Sequence, residues 1–139
     1  ARAMVELAHI RGDEVVFDLG AGDARLLRIA KRMFPDITAI GYEIVPMVWF
    51  CGFLWCVLTR SGVHLKLGNA FRADVRKADV IFLYMFPSCM EKFTVKFDRE
   101  IRPGTLVVSH TFRFHDRSPI KERRVPFWRG EAKIFLYRW

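Results

Sequence analysis

Small and acidic residues cluster near the start of the chain, in the segment VVFDLGAGDAR at residues 15–25. An apolar run ends at Asp18 and is followed by Gly20 and Gly22. Dinucleotide sites carry G-x-G-x-x-G, but here the third glycine position holds Arg25. The Asp18 carboxylate would repel a pyrophosphate, and the G-K-[ST] of a phosphate-binding loop is absent. The segment therefore favours a ligand with a positive centre.

Further polar side chains follow three other apolar runs. Glu43 ends ITAIGYE, Asn69 follows VHLKLG, and Tyr84 lies in DVIFLYM just before Pro87. Because the carboxyl ends of parallel strands meet at one edge of a sheet, we expect these residues to lie near the glycines.

The segments that would position these residues alternate between strands and helices. Strands are predicted at GDEVVFDLG, ITAIGYE, VHLKLG, DVIFLYM and GTLVVSHTF, and helices at ARAMVELAHI, 24–34, PMVWFCGFLWCVL and 88–100. The segment KERRVPFWRGEAKIFLYRW predicts a terminal hairpin that turns at Gly130. Alternation of this kind indicates an α/β, doubly wound, mostly parallel sheet with helices on both faces and a C-terminal antiparallel hairpin.

Composition limits the choice of partner and compartment. The chain has 139 residues, which fits one domain, and its net charge of +8 favours nucleic acid, anionic lipid or an acidic protein face. Its three cysteines form no C-x-x-C pair, so we expect no metal site or disulfide framework, and a cytoplasmic location. The arginines at 113, 117, 123, 124 and 129 crowd the C-terminal third.

The predicted helix after Glu43 has an unusual composition. Val45–Leu58 is a run of 14 residues without a charged side chain. At about 1.5 Å per residue it reaches only about 21 Å, which is too short to span a bilayer. Trp49, Phe50, Phe53 and Trp55 surround this helix, so we expect some of them to be exposed. The exposed side would contact a hydrophobic partner or a membrane surface, unless another part of the chain covers it.

The chain resembles the class I, seven-β-strand S-adenosylmethionine-dependent methyltransferases. The resemblance rests on the acid-x-G-x-G of DLGAGD, Glu43 after the second strand, Asn69 after the third, and ADVIFLYMFP. It implies a Rossmann-like seven-stranded sheet and S-adenosylmethionine as cofactor, with S-adenosylhomocysteine as product. Ala24 stands where many members carry a third glycine. The cofactor-binding residues implied are Asp18, Gly20, Ala21, Gly22, Asp23, Glu43, Ile44, Asn69, Ala70 and Tyr84.

A finer resemblance is to small protein-lysine methyltransferases, including archaeal enzymes and the mitochondrial enzymes that act on ATP synthase subunit c and the adenine nucleotide translocase. It rests on DLGAGDAR, GYEIVPMVWF, the FP after the fourth strand, and PGTLVVSHTF. It implies a lysine of a protein as methyl acceptor. Tyr84 and Pro87 are the candidates for its pocket, and the sequence shows no clear general base. The [DN]-P-P-[YF] of enzymes that methylate adenine or glutamine nitrogens is absent.

Two alternatives remain open. One is a methyltransferase that acts on RNA or on a small or lipid amine, with nucleic acid as the less favoured partner. The other is an inactive interaction module that binds the cofactor. Residues 1–139 are expected to form one methyltransferase domain. Because the similar lysine methyltransferases carry a segment before the first helix, a short N-terminal segment is expected to be missing.

Overall fold

Seven strands form a single sheet in the computed structural model, which describes residues 1–127 and 130–139. The strands are β1 (Val15–Leu19), β2 (Thr38–Glu43), β3 (Val63–Leu67), β4 (Val80–Leu83), β5 (Leu106–His110), β6 (Lys121–Phe127) and β7 (Gly130–Arg138). The helices are α1 (Arg2–Leu7), α2 (Arg25–Met33), α3 (Pro46–Leu58) and α4 (Pro87–Glu100), with a 3₁₀ turn at Ala70–Arg72.

The order of the strands confirms a doubly wound sheet. It is β3-β2-β1-β4-β5-β7-β6, in which β1 to β5 pair in parallel and β7 pairs antiparallel with β5 and β6. The chain runs outward from β1 to β3 and then crosses back to β4. The point where the order reverses therefore lies between β1 and β4, and ligands of such sheets bind at that point.

Side chains alternate between two apolar cores along each central strand. In β1, Val16 faces a core that contains Leu27 of α2, whereas Phe17 faces a core that contains Phe93 and Phe97 of α4. The alternation follows from the two-residue period of a strand, and it explains why the buried strands are almost wholly apolar. Helices on both faces are confirmed, with α1 and α2 opposite α4.

Helix α3 packs on the sheet through its smallest residues. Gly52 and Cys56 are buried on the inner side of the helix. A Cβ at Gly52 would lie 3.0 Å from the backbone of Asp23 and 2.9 Å from the Leu65 side chain. Glycine at this position therefore lets α3 approach the loop after β1. The predicted exposure of this helix is confirmed, because Phe50 and Trp55 are each 53% exposed.

The C-terminal hairpin extends past the sheet. His110, the last residue of β5, pairs with Ile134, so Gly130–Lys133 and their partners on β6 project beyond the carboxyl end of β5. The predicted hairpin is confirmed, although Gly130 already belongs to β7. Trp128 and Arg129 lie outside the described residues; Arg129 is one of the arginines that crowd the C-terminal third.

No helix within residues 1–127 and 130–139 combines the length and apolar character needed to cross a membrane.

Replacing Gly52 should test the contact between α3 and the glycine loop. Gly52→Val places methyl groups against the Asp23 backbone, and overpacking of this kind costs about 1–3 kcal/mol. The matched control is Cys51→Val, because Cys51 is exposed and shares the helix. Urea unfolding should show the Gly52 variant to be the less stable by that amount. Equal stability of the two variants would contradict the close packing.

Candidate functional site

A cavity of about 770 Å³ opens at the carboxyl edge of the sheet, where the strand order reverses. Six of the residues predicted from the sequence line it: Asp18, Gly20, Ala21, Gly22, Asp23 and Tyr84. The start of α1, the start of α2 and part of β6 form its other walls. The glycine loop and the end of β4 therefore meet in one open space, as expected for the switch point of a doubly wound sheet.

The loop after β1 needs its two glycines for conformational reasons. Gly20 has φ +90° and Gly22 has φ +56°, which is the left-handed region that glycine occupies without strain. A Cβ on Gly22 would meet no heavy atom within 4 Å, so this residue borders open space. Ala24, which stands where many of the similar methyltransferases carry a third glycine, also has a positive φ of 59°. It is the residue immediately before α2. That conformation explains why a glycine suits the position.

Glu43 ties the glycine loop to the start of α3. Its side chain is buried, with one carboxylate oxygen accepting from the Gly22 N–H at 2.9 Å and the other from the Val45 N–H at 2.8 Å. The Tyr42 carbonyl accepts from the N–H groups of Gly20 and Ala21 at 2.9 and 2.8 Å. The end of β2 therefore fixes the whole loop, and Glu43 is not the solvated loop acid that its position alone would allow.

Asp18 is a buried carboxyl group at the floor of the cavity. Loss of solvation raises the pKa of Asp18 from 3.8 to about 7, and the nearby carboxylates of Glu43 and Asp23 act in the same direction. Asp23 is exposed; its Oδ1 accepts from the Arg25 N–H at 3.0 Å. A group of carboxylates in one place raises the affinity of the cavity for positive charge.

Tyr84 stands at the rim of the cavity beside His110. The two rings are 4.7 Å apart in an edge-to-face arrangement, and Tyr84 is 53% exposed. His110 is buried, and its Nδ1 lies 2.7 Å from the Thr111 hydroxyl. Burial lowers the pKa of His110, so its imidazole is neutral at neutral pH. The phenol ring after β4 therefore packs against His110 and remains about half exposed to solvent.

Glu43 and the other predicted site residues do not line this cavity. Ile44 is 60% exposed after β2, and Pro87 is exposed in the first turn of α4. Asn69 begins the 3₁₀ turn, where its side-chain oxygen accepts from the Phe71 N–H at 2.9 Å. Ala70 is buried behind it. These residues lie after β2, β3 and β4, so they border the same edge of the sheet without lining the cavity.

Comparison with known proteins identifies the family. The profile of the ANTKMT methyltransferase domain matches residues 18–121, which is more than half of the chain. The chain belongs to the ANTKMT methyltransferase domain family. A protein-lysine N-methyltransferase of Saccharolobus islandicus strain REY15A is 29% identical over 140 residues, covering 98% of this chain and 86% of the relative.

Solved methyltransferase structures share the fold of this methyltransferase. The crystal structure of an RNA methyltransferase from Salinibacter ruber in complex with S-adenosylhomocysteine matches with a TM-score of 0.84 and 29% identity, covering 96% of this chain and 87% of that one. A precorrin-6y C5,15-methyltransferase from Geobacter metallireducens matches with a TM-score of 0.79 and 17% identity, covering 99% and 86%. This chain is an S-adenosylmethionine-dependent methyltransferase, as its glycine loop predicts.

The residues of this methyltransferase fit the chemistry of S-adenosylmethionine. The cofactor carries a sulfonium, an ammonium and a ribose diol. Asp18 and Asp23 supply negative charge at the cavity, and Gly22 borders open space. Each Glu43 oxygen accepts one backbone hydrogen bond, which leaves each with a further lone pair for a hydroxyl group.

Sequence reasoning missed one wall of the cavity in this methyltransferase. Four residues of β6 line the cavity together with the glycine loop: Arg123, Arg124, Val125 and Pro126. Arg123 also forms an ion pair of 2.9 Å with Glu6, which joins the hairpin to α1. These residues lie about a hundred positions after the motif, so only the register of the hairpin brings them there. The feature that brings these residues to the cavity is the extension of the hairpin past His110, which is visible only in the pairing of β5, β6 and β7.

Neither a second cleft nor the described side chains of metal-ligand type indicate a further site. A cavity of about 840 Å³ lies at the amino-terminal edge of the sheet, where Asp79 and Arg102 form an ion pair of 2.8 Å. It contains none of the predicted site residues. In the described part of the chain, histidine, cysteine and carboxylate side chains do not gather in groups of three or more that could hold a metal ion.

The raised pKa of Asp18 makes a prediction about stability. Between pH 3.8 and about 7 the folded chain keeps a proton that the unfolded chain releases, so this group lowers stability as pH rises through that range. Asp18→Asn removes the effect. At each pH, the stabilisation is the free energy of unfolding of Asp18→Asn minus that of the wild type. This stabilisation should be on the order of 2 kcal/mol larger at pH 8 than at pH 5.

Urea unfolding at the two pH values measures this difference. The matched control is Asp36→Asn, because Asp36 is an exposed aspartate away from the cavity. A gain from Asp18→Asn that is the same at both pH values would contradict the assignment.

Proposed function

We propose that this methyltransferase transfers a methyl group to the side-chain amine of a lysine in a protein. The observation that carries the proposal is the relative from Saccharolobus islandicus, a protein-lysine N-methyltransferase whose alignment covers 98% of this chain. The alignment includes the glycine loop, Glu43 and Tyr84.

The proposed roles of the residues follow from their positions. Bound S-adenosylmethionine would supply the methyl group of its sulfonium to an unprotonated amine, with S-adenosylhomocysteine as the leaving group and the extra proton of the methylated amine lost to water. Glu43 accepts from the ribose hydroxyls with the lone pairs that the backbone leaves unused. Ile44, Asn69 and Ala70 border the adenine side. The methionine half of the cofactor is held by Asp18, Gly20, Ala21, Gly22 and Asp23. The backbone N–H groups at the start of α2 would donate to the carboxylate of that methionine half.

The acceptor pocket is proposed at Tyr84, with Pro87 at its outer side. A lysine amine is a good nucleophile once it has lost its proton, so the site needs to orient it and lower its pKa rather than supply a dedicated base. The exposed face of Tyr84 suits a cationic or methylated amine. Arg123 and Arg124, which line the same cavity, lower the pKa of an incoming amine, because like charges disfavour its protonated form.

RNA is the second candidate acceptor, and a specific observation favours it. The Salinibacter ruber structure, which matches over 96% of this chain at 29% identity, is of an RNA methyltransferase. The arginines of the cavity wall and the net charge of +8 would also attract phosphate groups. RNA methylation would weaken steeply as salt rises, because each phosphate contact releases counterions.

A cytoplasmic location and a single domain are part of the same proposal. Cys51 is an exposed free thiol, Cys56 is buried and Cys89 lies between them in exposure. An exposed thiol suits a reducing compartment. The single sheet contains strands from both ends of the chain, which supports one methyltransferase domain over residues 1–139.

Transfer of a labelled methyl group to a cell lysate tests the acceptor. The label should survive nuclease, become soluble after protease, and appear as methyl-lysine after acid hydrolysis. Tyr84→Ala should lower the rate at least tenfold, about 1.4 kcal/mol in the barrier. The matched control is Phe86→Ala, which removes an exposed aromatic side chain two residues away and outside the cavity. Label that is released by nuclease, or that partitions with lipid, would overturn the lysine proposal.

A further inference from the structure

The outer surface of α3 is an uninterrupted apolar face. Met47, Phe50, Leu54 and Leu58 follow one another at three- and four-residue spacing and are 72%, 53%, 45% and 70% exposed. We call these four residues the apolar face of α3. The inner stripe of the same helix, Trp49, Gly52 and Cys56, packs on the domain. The helix therefore turns Met47, Phe50, Leu54 and Leu58 outward, whereas Trp49, Gly52 and Cys56 contact the rest of the domain.

Neighbouring side chains widen this surface. Ile44 and Val45 precede the helix, and Trp55 and Val57 flank the apolar face of α3, with between 47% and 60% of each exposed. An exposed Val95 on α4 and an exposed Ile120 before β6 are separate from it in the fold. Single exposed apolar residues are ordinary, but a contiguous patch of this kind marks an interaction surface.

Positive charge surrounds the end of the helix. A cavity of about 380 Å³ where α3 ends is lined by Arg28, Lys31, Arg32 and Arg60, together with the small polar residues Thr59 and Ser61. The Arg28 guanidinium lies over the Trp55 ring, 5.3 Å from its centre, which joins this basic group to the apolar surface. The acidic partner at this place is Asp23, whose carboxylate lies 3.7 Å from Arg28.

We propose that the apolar face of α3 docks on an anionic membrane surface. Helix α3 has 13 residues, too few to span a bilayer, so it would lie in the plane of the interface with its outer stripe among the acyl chains. Trp55 suits the boundary between headgroups and hydrocarbon. Arg32 and Arg60 would contact lipid phosphates.

Charge complementarity favours lipid over a second copy of the chain. A symmetric pair of chains would place the same patch on both sides of the interface. Val45–Leu58 contains no carboxylate, and the cavity beside it is lined by four cationic side chains. Apart from Asp23, which already pairs with Arg28, a second copy would bring the same cations to the interface, whereas an anionic lipid surface offers many phosphates.

Docking in this way would bring the edge of the cofactor site to the membrane. The helix begins three residues after Glu43, whose carboxylate accepts hydrogen bonds from the Gly22 N–H of the glycine loop and from the Val45 N–H. The docking proposal does not depend on which acceptor is methylated, and its test needs no methyl transfer.

Flotation with vesicles tests the apolar part of the proposal. The full chain should bind vesicles of equal parts phosphatidylcholine and phosphatidylglycerol, and the double variant Phe50→Ser, Leu54→Ser should lose at least tenfold in partitioning. The matched control is Val95→Ser, Ile120→Ser, which removes two exposed apolar side chains elsewhere and should bind as the wild type does. Circular dichroism and S-adenosylhomocysteine binding establish that each variant is folded.

Vesicles of phosphatidylcholine alone and a charge variant test the electrostatic part. Arg32→Gln, Arg60→Gln should weaken binding to the mixed vesicles by about fivefold for each charge removed. Arg99→Gln, which removes an exposed arginine of α4, should have little effect. Two results would overturn the proposal: a folded wild type that does not bind the mixed vesicles, or sedimentation velocity that shows self-association lost in the Phe50→Ser, Leu54→Ser variant without vesicle binding.

Discussion

The buried carboxylate of Glu43 holds together the three elements that build the site. One of its oxygens accepts from Gly22 in the loop after β1, and the other from Val45 before α3. Because both hydrogen bonds are to a charged group, each is stronger than a neutral one. The two hydrogen bonds fix the loop at Gly22 and the residue before α3 against the end of β2. The cavity then lies where the sheet reverses its order.

Two opposite demands meet at this edge of the sheet. A cationic cofactor needs negative charge, which Asp18, Asp23 and Glu43 supply. Burial, followed by repulsion from the other two carboxylates, raises the pKa of Asp18. The hairpin adds Arg123 and Arg124 to the wall of the cavity. Acidic and basic side chains therefore line the same cavity.

The sequence predicts most of the fold because its signals are local. The apolar run before Asp18, the glycines, and the Pro46 that opens α3 each act within a few residues, and each element lies where its pattern indicates. The positions of Asn69 and Pro87 relative to the cavity could not be predicted, because the residues after a strand can lead toward either face of the sheet. The contribution of Arg124 depends on the register of a hairpin, which is set by pairing far along the chain.

The central claim is that Glu43 both organises the loop and accepts from the ribose diol. Calorimetric titration of the wild type and Glu43→Gln tests it, with S-adenosylhomocysteine and with an analogue that lacks both ribose hydroxyls. The account predicts that the substitution weakens binding of S-adenosylhomocysteine at least tenfold, about 1.4 kcal/mol, and weakens binding of the analogue much less. An equal loss for both ligands, or no loss for either, would contradict it.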